Sequence, residues 1–208
     1  MISLRDDYVL YAHIRSGNAY KAALMLALTA TPYRLEVVDL NAGQQRTPAY
    51  RAINPFGQVP TLRHGERIVT QSNAILVYLG EQRARFWPSD HAQRIAILEW
   101  LFWEQDTLFP GIGRTRFFTK VIEGEPAVVT FFRKTGERGL DQLERHLAKA
   151  PFVVGAAPTV ADISIYAYAR LAEEAGFSLD RRPKVAAWRQ TVEALPGWAP
   201  PDKLIAAG

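Results

Sequence analysis

Asn54-Pro55-Phe56-Gly57-Gln58-Val59-Pro60-Thr61-Leu62-Arg63-His64-Gly65-Glu66-Arg67-Ile68-Val69-Thr70-Gln71-Ser72-Asn73-Ala74-Ile75 is the stretch whose reading decides the fold. Two prolines and a glycine within six residues specify a rigid turn that leads into a strand. Thr61–Arg63 and Arg67–Val69 read as short strands joined by the tight turn His64-Gly65-Glu66, so they pair antiparallel. A helical run follows from Ser72 to about Arg83. Upstream, Tyr8–Ala12 and Tyr33–Leu40 are strand-like and flank an apolar helical run, Ala19–Thr29. A helix between two strands brings them together in parallel by a right-handed crossover. The order is therefore β-α-β followed by β-β-α, a small mixed sheet with helices packed on it.

The period changes beyond Arg85-Phe86-Trp87-Pro88, which reads as a linker. Ile95, Leu98 and Phe102 recur at helical spacing, as do Leu140, Leu143 and Leu147, then Val185, Trp188, Val192 and Leu195. Pro126 suits a first helical turn, and Gly111 after Pro110 reads as a stop or kink. Thr159-Val160-Ala161-Asp162 is a capping box with a short acidic partner, a structural signature whose threonine stabilises by about 1 kcal/mol. The expected fold class is α/β plus all-α, with an α/β domain at 1–83 and a helical bundle at 84–208. Neither internal repeats nor low-complexity tracts interrupt it.

Composition narrows the chemistry. The 208 residues are 48% hydrophobic and 22% charged, enough to bury a core. There is no cysteine, which excludes a disulfide framework, a thiolate metal site and a protein thiol nucleophile. Any reactive sulfur must arrive with a ligand, and no metal is expected. The formal net charge is +4, and most of that excess lies before residue 84, without a long basic run. A small anion suits it better than nucleic acid. The start of the chain lacks a basic segment leading into an apolar one, and the apolar run Ala22–Ala30 is about half of a membrane span. A cytoplasmic protein with no membrane partner is expected.

Three segments combine turn formers with polar side chains. His13-Ile14-Arg15-Ser16-Gly17-Asn18-Ala19-Tyr20-Lys21 joins the first strand to the first helix, where helix amides favour an anion. Ser16 or Asn18 caps that helix in a purely structural reading; in a functional one Ser16 donates to a bound anion. Pro60 at a strand start cannot join the sheet ladder, and a cis Val59-Pro60 bond lets the backbone of Val59 face a bound peptide. In Thr70-Gln71-Ser72-Asn73-Ala74-Ile75, Ser72 is either an N-cap or part of a carboxylate site at the helix start.

Ser-x-Asn-x-x-Lys, Asn-Pro-x-Gly-x-Val-Pro-x-Leu, Gln-Ser-x-Ala-Ile-x-x-Tyr-Leu and a later Thr-Val-Ala-Asp occur in this order and together span nearly the whole chain. The chain thus resembles the cytosolic glutathione transferases of bacteria, in a serine or asparagine type without cysteine. The resemblance implies a thioredoxin-like first domain that binds glutathione as a cosubstrate. It makes Ser16 the hydroxyl that holds the glutathione thiolate, with Asn18 as support or substitute. Val59 before Pro60 would pair with the cysteinyl part, Gln71 and Ser72 would hold the γ-glutamyl carboxylate, and Gln44 or Gln45, together with Gln58, would lie near the glycyl end. Many relatives carry Glu where this chain has Gln71, and a neutral amide cannot offset the ligand's ammonium group. The helical domain would supply a pocket for a hydrophobic electrophile, with Trp103, Phe109 and Phe117 as candidates. Arg114 and Arg116 are placed to contact an anionic cosubstrate or a neighbouring subunit, and relatives are usually homodimers.

A free thiol of pKa about 8.5 is only a few per cent ionised at neutral pH. A shift of about two units corresponds to roughly 2.7 kcal/mol, within reach of a hydroxyl hydrogen bond to an anion (about 1.5–3 kcal/mol) plus a helix N-terminus (about 0.3–1 kcal/mol). Tyr8 and Tyr11 lie in the strand ahead of the loop and Tyr20 inside the helix, which favours Ser16 over a tyrosine; a lone His13 at a strand end reads as structural. The implied activity is conjugation of glutathione to small hydrophobic electrophiles, a detoxifying reaction. Alternatives are glutathione-dependent reduction of disulfides or peroxides, and non-catalytic glutathione binding.

Overall fold

A computed structural model describes residues 7–206, which form two compact units. The start of the chain, on which the expectation of no leader rests, and the outer domain limits 1 and 208 lie outside them. The first unit runs to Arg85 and resumes at Leu195; the second is Phe86–Ala194.

In the first unit the elements are β1 (Tyr8–Ala12), α1 (Gly17–Leu28), β2 (Tyr33–Val37), α2 (Pro48–Ile53), β3 (Thr61–His64), β4 (Arg67–Thr70) and α3 (Ser72–Arg83). The sheet order is β2-β1-β3-β4. β1 runs parallel to β2, with Tyr8 opposite Tyr33, and antiparallel to β3, with Tyr11 opposite Thr61. β3 and β4 are antiparallel, with Thr61 opposite Thr70. This is the expected mixed sheet of a thioredoxin-like domain.

β1 is central because its residues are apolar on both faces: Val9, Leu10 and Ala12 are buried. α1 packs against α3 and β1 and is buried from Ala22 through Leu26, which is what its unbroken apolar run requires. β2 stops at Val37 instead of continuing to Leu40, because the Asp39 side chain accepts from the amides of Asn41 and Ala42 at 2.9 and 3.0 Å and bends the chain. α2 was not anticipated; six residues are too few for a period, though Thr47 capping Tyr50 N ahead of Pro48 marks its start.

The last described residues differ from the expected assignment of 84–208 to the helical domain. From Leu195 onward the chain packs with the first unit and ends in a short helix, Pro201–Leu204, against α1. Tyr20 OH donates to Ala199 O at 2.9 Å, and Tyr33 OH to Leu204 O at 2.7 Å.

The second unit holds α4 (His91–Trp103), α5 (Pro126–Leu147), α6 (Val160–Ala169) and α7 (Pro183–Glu193). Asp90 caps α4 through Gln93 N at 2.8 Å, and Pro126 occupies the first turn of α5. Between α4 and α5 the helix widens to π winding over Glu104–Arg114 and again over Phe117–Val121. Here the reading of Pro110-Gly111 as a stop or kink is corrected. The wider winding accommodates Pro110 inside the helix, and Gly111 is a crossing point with α5. A Cβ at Gly111 would stand 2.5 Å from Gly136 N, and one at Gly136 would stand 2.5 Å from the Phe177 ring. Only glycine fits either place.

The capping box starts α6 as read: Asp162 Oδ2 accepts from Thr159 N at 2.9 Å, and Thr159 Oγ accepts from Ala161 N at 3.3 Å. Asp162 does more than cap. Its Oδ1 accepts from Val153 N and Trp188 Nε1, both at 3.0 Å, tying α6 to α7 and to the loop after α5. Burial raises its pKa, and these bonds oppose the rise. No helix among the described residues is long and apolar enough to cross a membrane.

Candidate functional site

Asn18, Asn54, Gln58, Val59, Pro60, Gln71 and Ser72 line one narrow polar cleft in the first unit. All of these but Asn54 are residues expected around glutathione from the sequence. The cleft sits where the start of α1, the start of α3 and the turn into β3 converge, so two helix N-termini bound it.

Ser16 caps α1: its Oγ accepts from Ala19 N at 3.1 Å. That bond uses one lone pair, and the hydroxyl proton remains available to donate. The cap bond and a donated bond, opposed as alternatives in the sequence, are therefore compatible in one side chain. Asn18, two residues on, accepts from Ser72 Oγ with its Oδ1 at 3.1 Å, which joins the starts of α1 and α3. Buried Lys21 adds a second link, Nζ to Asn73 Oδ1 at 3.2 Å.

Ser72 is not the N-cap of α3. The cap position falls on Gln71, at φ 67 and ψ 118 with no side-chain cap bond, and Ser72 is the first helical residue. Two consequences follow. The first-turn amides of α3 carry no side-chain cap, and the Ser72 hydroxyl points to Asn18 in place of its own helix. A glutamine at positive φ costs about 1–3 kcal/mol, strain that concentrates at ligand clamps.

The Val59-Pro60 bond is cis. The turn that presents Val59 is held by residues the sequence reading did not assign to the site. Asn54 is 1% exposed, so each of its bonds is sheltered from water. Its Nδ2 donates to Gln58 O at 2.7 Å and to Thr61 Oγ at 2.8 Å, and its Oδ1 accepts from Phe56 N at 3.1 Å. Tyr50 OH donates to Gln58 O at 2.9 Å and lies 3.0 Å from Thr61 Oγ. Burial raises the Tyr50 pKa, with side-chain hydrogen bonds from Thr61 and Asn54 opposing the rise, and the phenol stays neutral. The signal that could have found Asn54 is its place before a proline at the head of the turn, where an Asn side chain bonds the backbone two residues on.

The glutamines expected at the glycyl end separate. Gln44 Oε1 accepts from Asp39 N at 2.7 Å and lines a different hollow of about 190 Å³ with Tyr11, Val38, Thr47 and Tyr50. Gln45 lies beside the turn, since a Cβ on Gly57 (φ 61) would stand 3.0 Å from its carbonyl oxygen. Its Oε1 is buried and has no hydrogen-bond partner among the described residues.

The tyrosines stand away from the polar cleft: Tyr8 stacks on His64 at 4.0 Å, Tyr20 OH is bonded to Ala199 O, and Tyr11 lines the Gln44 hollow. His13 Nδ1 accepts from Arg15 N at 3.2 Å. Burial and then the Arg15 charge lower its pKa, so the ring is a neutral acceptor that shapes the loop.

In the second unit the three aromatic candidates have separate partners. Trp103 Nε1 donates to Gln142 Oε1 at 2.9 Å, Phe109 lies against Tyr168 at 5.0 Å, and Phe117 is exposed and edge-on to Phe118 at 5.4 Å. Arg116 pairs with Glu174 at 2.7 Å. No group of three or more His, Asp or Glu suited to a metal occurs among the described residues.

A thioredoxin-like sheet, a polar cleft between two helix starts and a following helical bundle define a glutathione-binding fold. The chain belongs to the glutathione S-transferase family: its N-terminal domain model matches residues 7–81 and its C-terminal domain model residues 125–191. A crystal structure of a glutathione S-transferase from Pseudomonas fluorescens superposes with TM-score 0.88 at 37% identity, covering 93% of this chain and 98% of that one. Glutathione S-transferase 2 of Anopheles gambiae is 31% identical over 188 residues, 87% of this chain and 89% of that protein. The disulfide-bond oxidoreductase YfcG of Escherichia coli is 27% identical over 187 residues, 86% of this chain and 87% of that protein.

Proposed function

We propose that this protein conjugates glutathione to small hydrophobic electrophiles, with Ser16 as the donor that holds the thiolate. The observation that carries the reading is the Ser16 hydroxyl, fixed by its cap bond at the head of α1 with its proton available, two residues from a cleft lined by Asn18, Val59 and Ser72. In this reading the uncapped first turn of α3 receives the γ-glutamyl carboxylate, and the backbone of Val59 pairs with the cysteinyl residue. The thiolate attacks the electrophilic carbon, the carbon–sulfur bond forms as the leaving group departs with the bonding pair, and the thiol proton goes to water. A two-unit fall in thiol pKa needs no general base, and the neutral His13 is not assigned as one. A cytoplasmic homodimer is the expected form.

Glutathione-dependent disulfide reduction is the second reading, supported by the likeness to the E. coli oxidoreductase. In this second reading, two glutathiones reduce one disulfide to two thiols and leave as glutathione disulfide, with no protein thiol involved. Purified protein is assayed with 1-chloro-2,4-dinitrobenzene, an organic peroxide and a small disulfide, alongside calorimetric binding of glutathione. Turnover of the chloride supports conjugation, and turnover confined to the disulfide or peroxide moves the assignment to reduction. Glutathione binding with no turnover on all three leaves a binding protein.

A further inference from the structure

Asn18 and Lys21 stand three residues apart on α1 and share the face that meets the start of α3. They reach consecutive residues there: Ser72 Oγ donates to Asn18 Oδ1 at 3.1 Å, and Lys21 Nζ donates to Asn73 Oδ1 at 3.2 Å. Asn18 and Ser72 line the cleft, whereas Lys21 and Asn73 do not, so the second link lies behind the wall that the first one forms. Lys21 is 0% exposed. A helical side chain leans toward the N-terminus of its helix, and the long stem of Lys21 therefore carries its ammonium back toward the head of α1.

Three sources of positive potential thus meet at one wall of the cleft: the N-terminus of α1, the N-terminus of α3 and a buried cation bonded to the second residue of α3. A cation beside a helix N-terminus is unfavourable, and a carboxylate in front of that terminus offsets it. Because Lys21 is buried, salt screens its field less than that of a surface charge. None of the residues lining the cleft is charged, Gln71 included, so none of them opposes this field.

We propose that Lys21 is a positioning residue whose buried ammonium, held behind the first turn of α3 by Asn73, makes the cleft select ligands with a free α-carboxylate on the γ-glutamyl residue. This rests on reading the cleft as a glutathione site and is independent of turnover. The test is calorimetric binding of S-methylglutathione and of the analogue in which its γ-glutamyl carboxylate is a carboxamide. The wild type should prefer the carboxylate by about thirtyfold, and Lys21→Met and Lys21→Gln should each cut that preference about tenfold. Lys21→Arg, which keeps the charge, should retain most of it. Methionine matches the length of lysine and exchanges a buried charge for apolar surface, a change that buried sites accept, and thermal melts check that both neutral variants fold. A purely structural role weakens both ligands alike, so a preference that survives in the neutral variants overturns the proposal, as does equal binding of the pair by the wild type. If neither ligand binds the wild type, the glutathione reading of the cleft fails and the proposal falls with it; binding with a preference indifferent to residue 21 sinks the proposal alone.

Discussion

The proposed function gives Ser16 a second role beside its cap, and two substitutions separate them. Ser16→Ala removes the 3.1 Å bond to Ala19 N, a cap worth about 1 kcal/mol of stability. It also removes the hydroxyl donor from the thiolate, about 1.5–3 kcal/mol for a hydrogen bond to a charged group. At 1.36 kcal/mol per pKa unit, the bound thiol should rise by about one to two units. Below the new pKa the thiolate fraction then falls roughly ten- to a hundredfold. Ser16→Asp keeps a good cap, since aspartate accepts from the helix amide as well as serine does. It has no proton to donate and sets a negative charge beside the sulfur, so its thiol pKa should exceed that of the alanine variant while its stability stays near wild type. The assay is the pH dependence of kcat/KM with 1-chloro-2,4-dinitrobenzene, joined to the ultraviolet absorbance of bound thiolate and urea unfolding of each variant. If Ser16→Asp retained the wild-type pH profile, Ser16 would not be the donor and Asn18 would take its place.

Asn54→Ala should leave Gln58 O and Thr61 Oγ without their amide donor and lower stability by about 2 kcal/mol, with a raised KM for glutathione; urea unfolding and steady-state kinetics measure both. Gly111→Ala drives a methyl group into the backbone of α5 and should cost about 3 kcal/mol or prevent folding, while Gly155→Ala, with open space but a φ of 72, should cost about 1 kcal/mol; thermal melts rank the two. His13 has its pKa lowered in the folded protein, so the unfolded chain takes up a proton first as pH falls. Stability should therefore decline as pH drops from about 6.5 through the lower folded value, and His13→Gln should flatten that slope in urea titrations between pH 5 and 7, with a small amplitude because the ring is only partly buried.

The parts of the fold legible in the sequence are those carried by local period and turn chemistry. β3, β4 and their turn, the capping box at Thr159 and the apolar α1 each announce themselves within a dozen residues. Gln71 shows where such reading stops. Ser72 looked like a cap because serine is a common one, yet the cap position fell one residue earlier, on a glutamine in a backbone conformation that side-chain preferences argue against. The glycine after Pro110 looked like a break because its reason lies 25 positions away, at Gly136. For the cleft, residue types at helix starts pointed to Asn18 and Ser72, and the proline at the head of β3 pointed to Val59, whereas the bracing by Tyr50 and Asn54 depends on a helix too short to show a period. Gln44 and Gln45 are neighbours in sequence, but their side-chain oxygens fare differently, one accepting from Asp39 N and the other buried without a hydrogen-bond partner among the described residues.

The segment from Leu195 to Ile205 has a bearing on biosynthesis. Because Tyr20 and Tyr33 bond to Ala199 and Leu204, the earliest strands and helix of the chain wait for partners that leave the ribosome after the whole helical unit. A nascent chain stalled at Arg85 would present α1 with part of its covering missing. The first unit is thus completed only after the second has been made, against the usual order in which N-terminal domains close first, and a chain cut short before Leu195 would injure a unit made earlier.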